Sequence, residues 1–231
     1  MNYIIETKNL TKKYRKDTAL DNVSIKVDKG IVYGLLGPNG SGKSTLLKLI
    51  TQVLKNDGGE ILFNNHIMTE KDLSHIGAII EGPAIYPNLT AKENLKVITT
   101  LLNIDEKRID EVLNTVGLNN TGDKIARDFS LGMKQRLGIA MAIINSPDLL
   151  ILDEPTNGLD PVGIIEIREM VKNFSNRGIT VIFCSHILNE VEAVADKIAI
   201  INNGHLSYEY YVNGNENLEE LLMDIIRKEG I

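Results

Sequence analysis

A single cysteine in 231 residues excludes a disulfide framework within the chain and fits a reducing compartment. That residue, Cys184, stands in the apolar run Val181-Ile182-Phe183-Cys184, so a buried strand position without chemistry of its own is expected. No apolar run approaches the roughly 18 residues of a membrane-spanning helix, and no signal peptide is visible; any membrane role is therefore expected to come through a partner. Positive charge is also in short supply. The formal net charge of −6 provides no electrostatic footprint for nucleic acid, and the local basic cluster Lys12, Lys13, Arg15 and Lys16 reads as a solvated patch. Nothing rich in Pro, Gly or Ser divides the chain, and neither repeats nor low-complexity segments interrupt it. Hydrophobic residues at 43% suffice for one good-sized α/β core.

What is present changes character along the chain. Val23, Ile25 and Val27 alternate with polar neighbours, and residues near 3–8 and 58–64 read similarly, which predicts half-exposed antiparallel strands in the N-terminal third. Ile31 to Leu36, Leu149 to Leu152 and Ile179 to Phe183 are apolar without alternation, the pattern of parallel strands covered on both faces. The stretch 88–145 reads as helical throughout: Thr90 and Glu93 make a capping box, and Ile109, Val112, Leu113 and Val116 share a helical face before Gly117. Asp160 caps and Pro161 opens a further helix, Asn202-Asn203-Gly204 reads as a hairpin turn, and 216–228 as an amphipathic helix. The expected organisation is one domain over 1–231. Its core and β layer fall at about 1–87 and 146–212, a helical lobe at about 88–145 and a C-terminal helix at 213–231.

Two motifs carry chemistry. The run Gly37-Pro38-Asn39-Gly40-Ser41-Gly42-Lys43-Ser44-Thr45 fits G-x-x-x-x-G-K-[ST] between an apolar strand and an apolar periodic segment. Glycines let the backbone curl its N–H groups around phosphates, the following helix adds its positive dipole end, Lys43 reaches the β- and γ-phosphates, and Ser44 ligates magnesium. A chance glycine-rich turn would lack those flanks. The second motif, Leu149-Leu150-Ile151-Leu152-Asp153-Glu154, is an apolar strand ending in two carboxylates. Acids also end strands at exposed loops, but beside a phosphate loop Asp153 is placed to hold magnesium through water and Glu154 to polarise the attacking water.

With these motifs and those that follow, the chain resembles the ATP-binding subunits of ABC transporters over nearly its whole length. Phe129-Ser130-Leu131-Gly132-Met133-Lys134-Gln135-Arg136 is similar to that family's signature sequence, Asn157-Gly158-Leu159-Asp160 to the loop through which two subunits sense each other, and Ser185-His186 to its switch histidine. The resemblance implies a P-loop NTPase fold with a mostly parallel sheet, an antiparallel β layer and an inserted helical lobe. It implies ATP and Mg2+ as ligands and an ATP-dependent dimer, for which a homodimer suffices. In that dimer Ser130 and Gly132 contact the γ-phosphate bound to the opposite subunit, and Asp160, in the subunit-sensing loop, is counted with them among the nucleotide-binding residues. His186 touches the γ-phosphate, and Tyr14, expected before the strands of the β layer, stacks on adenine.

Glu81, in Ile79-Ile80-Glu81-Gly82-Pro83-Ala84-Ile85-Tyr86-Pro87-Asn88, stands where most members carry glutamine. In the family that loop contacts magnesium or the attacking water and borders the groove for the integral membrane permease. This glutamate and the Ser-Leu-Gly-Met-Lys-Gln form of the signature resemble the subgroup that exports bacitracin and lantibiotic peptides, at the cytoplasmic face of the membrane. The rival class, a soluble ATPase of the same type acting on ribosomes or DNA, usually carries two cassettes or a long coiled coil. Neither is seen here, and no sustained heptads occur.

Overall fold

The computed structural model describes residues 3–15 and 17–212 of the chain, so the expected C-terminal helix and Lys16 lie outside the described residues. From the N-terminus the chain forms β1 (Tyr3–Tyr14), β2 (Asp17–Val23), β3 (Lys26–Asp28) and β4 (Val32–Leu36), then α1 (Lys43–Ile50). It continues through β5 (Gly58–Phe63), β6 (His66–Ile67) and β7 (Ile76–Ile79) into α2 (Ala91–Leu102), α3 (Lys107–Thr115) and α4 (Leu131–Ile143). The remainder alternates: β8 (Leu149–Asp153), α5 (Pro161–Asn176), β9 (Thr180–Ser185), α6 (Leu188–Glu192), β10 (Lys197–Asn202) and β11 (His205–Tyr211).

These strands make two sheets among the described residues. One is antiparallel, in the order β2-β1-β5-β6 with β3 also on β1; the other runs β11-β10-β4-β9-β8-β7 and is parallel except at β11. The expected fold class is the one observed. Strands β4, β8 and β9 are buried at every position because both faces are covered. Their two-residue period sorts side chains between two cores: Val32, Leu36, Leu150, Leu152, Val181 and Phe183 pack with α4 and α5 on one side. On the other, Tyr33, Leu35, Leu149, Ile151 and Ile182 meet α1 and the antiparallel layer.

Three features depart from the sequence reading. β1 does not stop near residue 8 but runs to Tyr14, which pairs with Asp17 of β2, so Tyr14 lies within the β layer and not before it. Polar Lys8, Asn9, Thr11, Lys12 and Lys13 hide that continuation from a hydrophobic pattern. β7 is an edge strand of four residues whose Gly77 and Ala78 give little strand signal. The 88–145 stretch is not helical throughout: α3 ends at Thr115, Gly117 (φ 67°) turns the chain away just beyond its cap, and 118–130 is a loop with a single 3-10 turn at Ala126–Asp128. That loop is held to the preceding segment by Ala126 N–H to Leu89 O (2.8 Å) and Arg127 N–H to Pro87 O (2.7 Å). Asn119, Asn120, Thr121 and Gly122 favour turns over helix.

α4 lies directly against β7: a Cβ at Gly77 would stand 2.0 Å from the Ala142 carbonyl oxygen. Gly77→Ala is therefore expected to cost about 1–3 kcal/mol through forced separation of helix and sheet. Thermal unfolding followed by circular dichroism should show a lowered Tm, by about 2–4 °C per kcal/mol in a domain of this size. An unchanged Tm would contradict the close approach.

Candidate ATP site

The glycine-rich loop leaves the C-terminal end of β4 and turns into α1. Gly42 caps that helix at φ 110°, and a Cβ there would lie 2.6 Å from the Ala19 carbonyl oxygen of β2, so conformation and packing both demand glycine. Gly37, Pro38, Asn39, Gly40 and Ser41 form the curve, closed by Ser41 N–H to Pro38 O at 3.2 Å. The hairpin between β10 and β11 braces it, with Gly204 N–H on Ser41 O (2.9 Å) and Asp21 N–H on Gly204 O (2.8 Å). Lys43 is buried and folds its ammonium back to donate to Gly37 O (2.7 Å) and Pro38 O (3.0 Å), which places a cation inside the curve. Half-buried Ser44 and Thr45 follow in the first turn of α1. A helix N-terminus with a lysine beside it suits a polyphosphate.

Parallel register delivers the two acids to the same edge. The Ser44 hydroxyl donates to Asp153 Oδ2 at 2.8 Å, while the buried Asp153 Oδ1 has no hydrogen-bond partner. A hydroxyl and one carboxylate with a spare oxygen form a hard, sparse donor set. It fits Mg2+, which keeps several waters and takes phosphate oxygens as further ligands. No cluster of three or more acidic, His or Cys ligands occurs among the described residues.

Glu154 follows β8 in the left-handed region, at φ 50°, an uncommon conformation for a side-chain-bearing residue and one that collects at functional sites. Its N–H donates to Cys184 O at 3.0 Å, and its carboxylate lies 2.8 Å from His186 Nδ1. Cys184 itself is fully buried, and burial, reinforced by the neighbouring Asp153 carboxylate, pushes its thiol well above the usual cysteine range. Glu81 follows β7, also at positive φ (61°), and its carboxylate forms an ion pair with Lys48 of α1. No hydrogen bond among the described residues joins Glu81 to Ser44 or Asp153. Lys48 escaped the sequence reading, because only the fold brings α1 beside the end of β7. Tyr14 is 44% exposed, with the Lys12 ammonium 5.7 Å from its ring centroid.

The remaining residues gather separately. Ser130 caps α4 by accepting the Met133 N–H at 3.2 Å, Asp160 caps α5 by accepting the Gly163 N–H at 3.0 Å, and Gly132 lies beside Leu159. Together with Gly158 they line a small cavity of about 350 Å³. The loop 154–160 connects this group to the acids, through Asn157 N–H on Glu154 O and Leu159 N–H on Thr156 O, both 3.1 Å.

A phosphate loop, strand-end acids and a capped signature helix on two packed sheets define a nucleotide-hydrolysing cassette. The chain matches the sequence profile described as ABC transporter over residues 20–157 and belongs to that family; it is one of its ATP hydrolases. Among its relatives is the lantibiotic transport ATP-binding protein SrtF of Streptococcus pyogenes, 50% identical over 218 residues that span 94% of this chain and 95% of SrtF. The bacitracin transport ATP-binding protein BcrA of Enterococcus faecalis is 44% identical over 222 residues, 92% of this chain and 71% of BcrA. Of solved structures, an ATP-binding subunit of an ABC transporter superposes with TM-score 0.85 at 28% identity, covering 96% of this chain and 99% of its own. A dimeric ATP-binding cassette bound to ADP and Pi superposes with TM-score 0.81 at 27% identity, covering 91% and 99%.

Two outcomes are expected. Asp153→Asn, which replaces the carboxylate at the Ser44 hydroxyl by a neutral amide, should lower ATP hydrolysis by at least ~100-fold and raise the magnesium concentration needed for what remains. Steady-state turnover across a magnesium titration checks it. Iodoacetamide should leave Cys184 unmodified in the folded protein and alkylate it after denaturation, as read by intact mass; ready modification of the native chain would contradict its burial.

Proposed function

We propose that this chain is the ATP-hydrolysing subunit of a membrane exporter that clears peptide antibiotics of the lantibiotic or bacitracin class, acting at the cytoplasmic face through a permease. The observation that carries this reading is the 50% identity to SrtF, over nearly the full length of both proteins, supported by the likeness to BcrA. No helix among the described residues is long and apolar enough to cross a membrane, and the reading assigns passage across it to a permease partner. A mainly apolar groove of about 850 Å³ supports that partner: it opens between β7 and the helical lobe, lined by Ile79, Pro83, Leu102, Gly138 and Met141. It adjoins the 81–88 loop and suits a cytoplasmic segment of the permease.

In the proposed cycle two copies of the chain face each other and enclose two ATP molecules, an arrangement supported by the dimeric cassette among its structural neighbours. The curve at residues 37–42 and the Lys43 ammonium neutralise the β- and γ-phosphates of the substrate, and Tyr14 offers its ring to the base. Ser44 and Asp153 hold Mg2+, whose chemistry is to screen phosphate charge. Glu154 orients and polarises the attacking water, and His186, at hydrogen-bond distance from Glu154, reaches the γ-phosphate. Ser130 and Gly132 at the start of α4, with Asp160 beside them, face the nucleotide held by the opposite copy. Closure on ATP moves the permease, and hydrolysis reopens the pair. Glu81 places a carboxylate at the seam between the groove and α1, where its Lys48 partner shares the helix of Lys43 and Ser44.

Glu154→Gln should bind ATP with near-native affinity, lose at least ~100-fold in turnover and accumulate as an ATP-bound dimer by light scattering; full activity would overturn the assignment of the base. Glu81→Gln should alter magnesium dependence or transport coupling more than nucleotide affinity, measured as ATPase activity with and without co-expressed permease. Deleting the gene should raise sensitivity to a lantibiotic or to bacitracin; unchanged sensitivity to both would remove the substrate class.

A further inference from the structure

Glu190, in the first turn of α6, is only 5% exposed, and no Lys, Arg or His lies within ion-pair distance of it among the described residues. A buried acid without a cation is costly unless hydrogen bonds replace its water. Two hydroxyls do so, and both converge on one oxygen: Thr156 Oγ1 donates to Glu190 Oε2 at 2.5 Å and Ser185 Oγ to the same atom at 2.9 Å. Thr156 and Ser185 are themselves fully buried, at 2% and 0% exposure, and the Ile187 N–H donates to Ser185 Oγ at 3.1 Å.

The two donors sit beside the reacting groups. Thr156 lies two residues beyond Glu154 and Ser185 immediately before His186, so one carboxylate oxygen ties the turn after β8 to the last residue of β9. The two segments are otherwise joined at this level by Glu154 N–H on Cys184 O and by the Glu154–His186 contact itself. Glu154 is moreover held at positive φ, a conformation that needs its surroundings to enforce it. We infer that Glu190 is a positioning residue for ATP hydrolysis: by drawing Thr156 and Ser185 onto Oε2 it sets the spacing between the strand ends that carry Glu154 and His186.

This inference rests on the roles proposed above for Glu154 and His186, and the experiment separates the two. The full chain is prepared as wild type, Glu190→Ala, Glu190→Gln, Thr156→Val, Ser185→Ala and Glu154→Gln, and each is measured for kcat, KM, equilibrium ATP affinity and Tm. Glu190→Ala should lower kcat by ~10- to 100-fold, the range expected from displacing a reacting group by about an ångström, while ATP affinity stays within about threefold. Glu190→Gln should recover most of that loss, because its amide oxygen can accept both hydroxyls in the place of Oε2. A folded Glu190→Ala with kcat within twofold of wild type overturns the inference; so does a glutamine variant as slow as the alanine one, or a loss of affinity matching the loss of kcat. Should Glu190→Ala not fold, Thr156→Val and Ser185→Ala decide, each expected to lower kcat with little change in affinity, and normal turnover in both overturns it. A Glu154→Gln variant that still turns over removes the base assignment instead, whatever the Glu190 series shows.

Discussion

The parallel register of β4, β9 and β8 is the constraint from which the site follows. Leu36 pairs with Ser185, and Asp153 with Cys184, so three strands end at nearly one level and discharge the polar residues that follow into the same space. From β4 come Lys43 and Ser44, from β8 come Asp153 and Glu154, and from β9 comes His186. Ligand sites of open α/β sheets form beyond the carboxyl ends of strands for this reason. The 2.8 Å bond from Ser44 to Asp153 and the 2.8 Å contact from His186 to Glu154 are side-chain expressions of that register. A slip of one residue in β8 would exchange the faces of its side chains and send Asp153 toward a core.

Packing around the phosphate loop explains why so small a segment is so restricted in composition. The loop is squeezed between β2, through Ala19, and the β10–β11 hairpin, through Gly204, leaving no volume for a side chain at Gly42. The antiparallel layer thus acts as a wall behind the loop. Polar groups set against this apolar tightness find partners close by: Lys43 in loop carbonyls, Glu190 in hydroxyls, Asp160 and Ser130 in helix N–H groups. Asp153 Oδ1 and Ser41 Oγ, both at the phosphate loop, are among the buried side-chain atoms that have no such partner.

Helical insertion gives the cassette its second face. α4 carries Ser130 at its N-terminus and lies so close to β7 that Gly77 and Gly138 are both needed at the crossing, the latter against Pro83. A displacement of the 81–88 loop would therefore be felt by α4, and through the Glu81–Lys48 pair by α1. Groove, loop and phosphate helix are thus joined by close packing and by one ion pair.

Much of this was legible in the sequence because its signals are local. Continuous apolar runs marked β4, β8 and β9; Asp160-Pro161 marked the start of α5; Thr90 with Glu93 marked that of α2; and the glycine and lysine spacing of 37–45 carries its own geometry. Less was legible where the cause is distant. The extension of β1 to Tyr14 is stabilised by two neighbouring strands, not by its own polar residues, and β7 is a strand because β8 offers it an edge. Candidates for binding phosphate, holding a cation or polarising water can be read from the chain alone, since those are properties of side chains and of short-range backbone freedom. That Glu81 meets Lys48, that His186 meets Glu154, and that Glu190 gathers Thr156 and Ser185 follows from the folded arrangement alone, because strands far apart in sequence become neighbours through sheet register and helix packing.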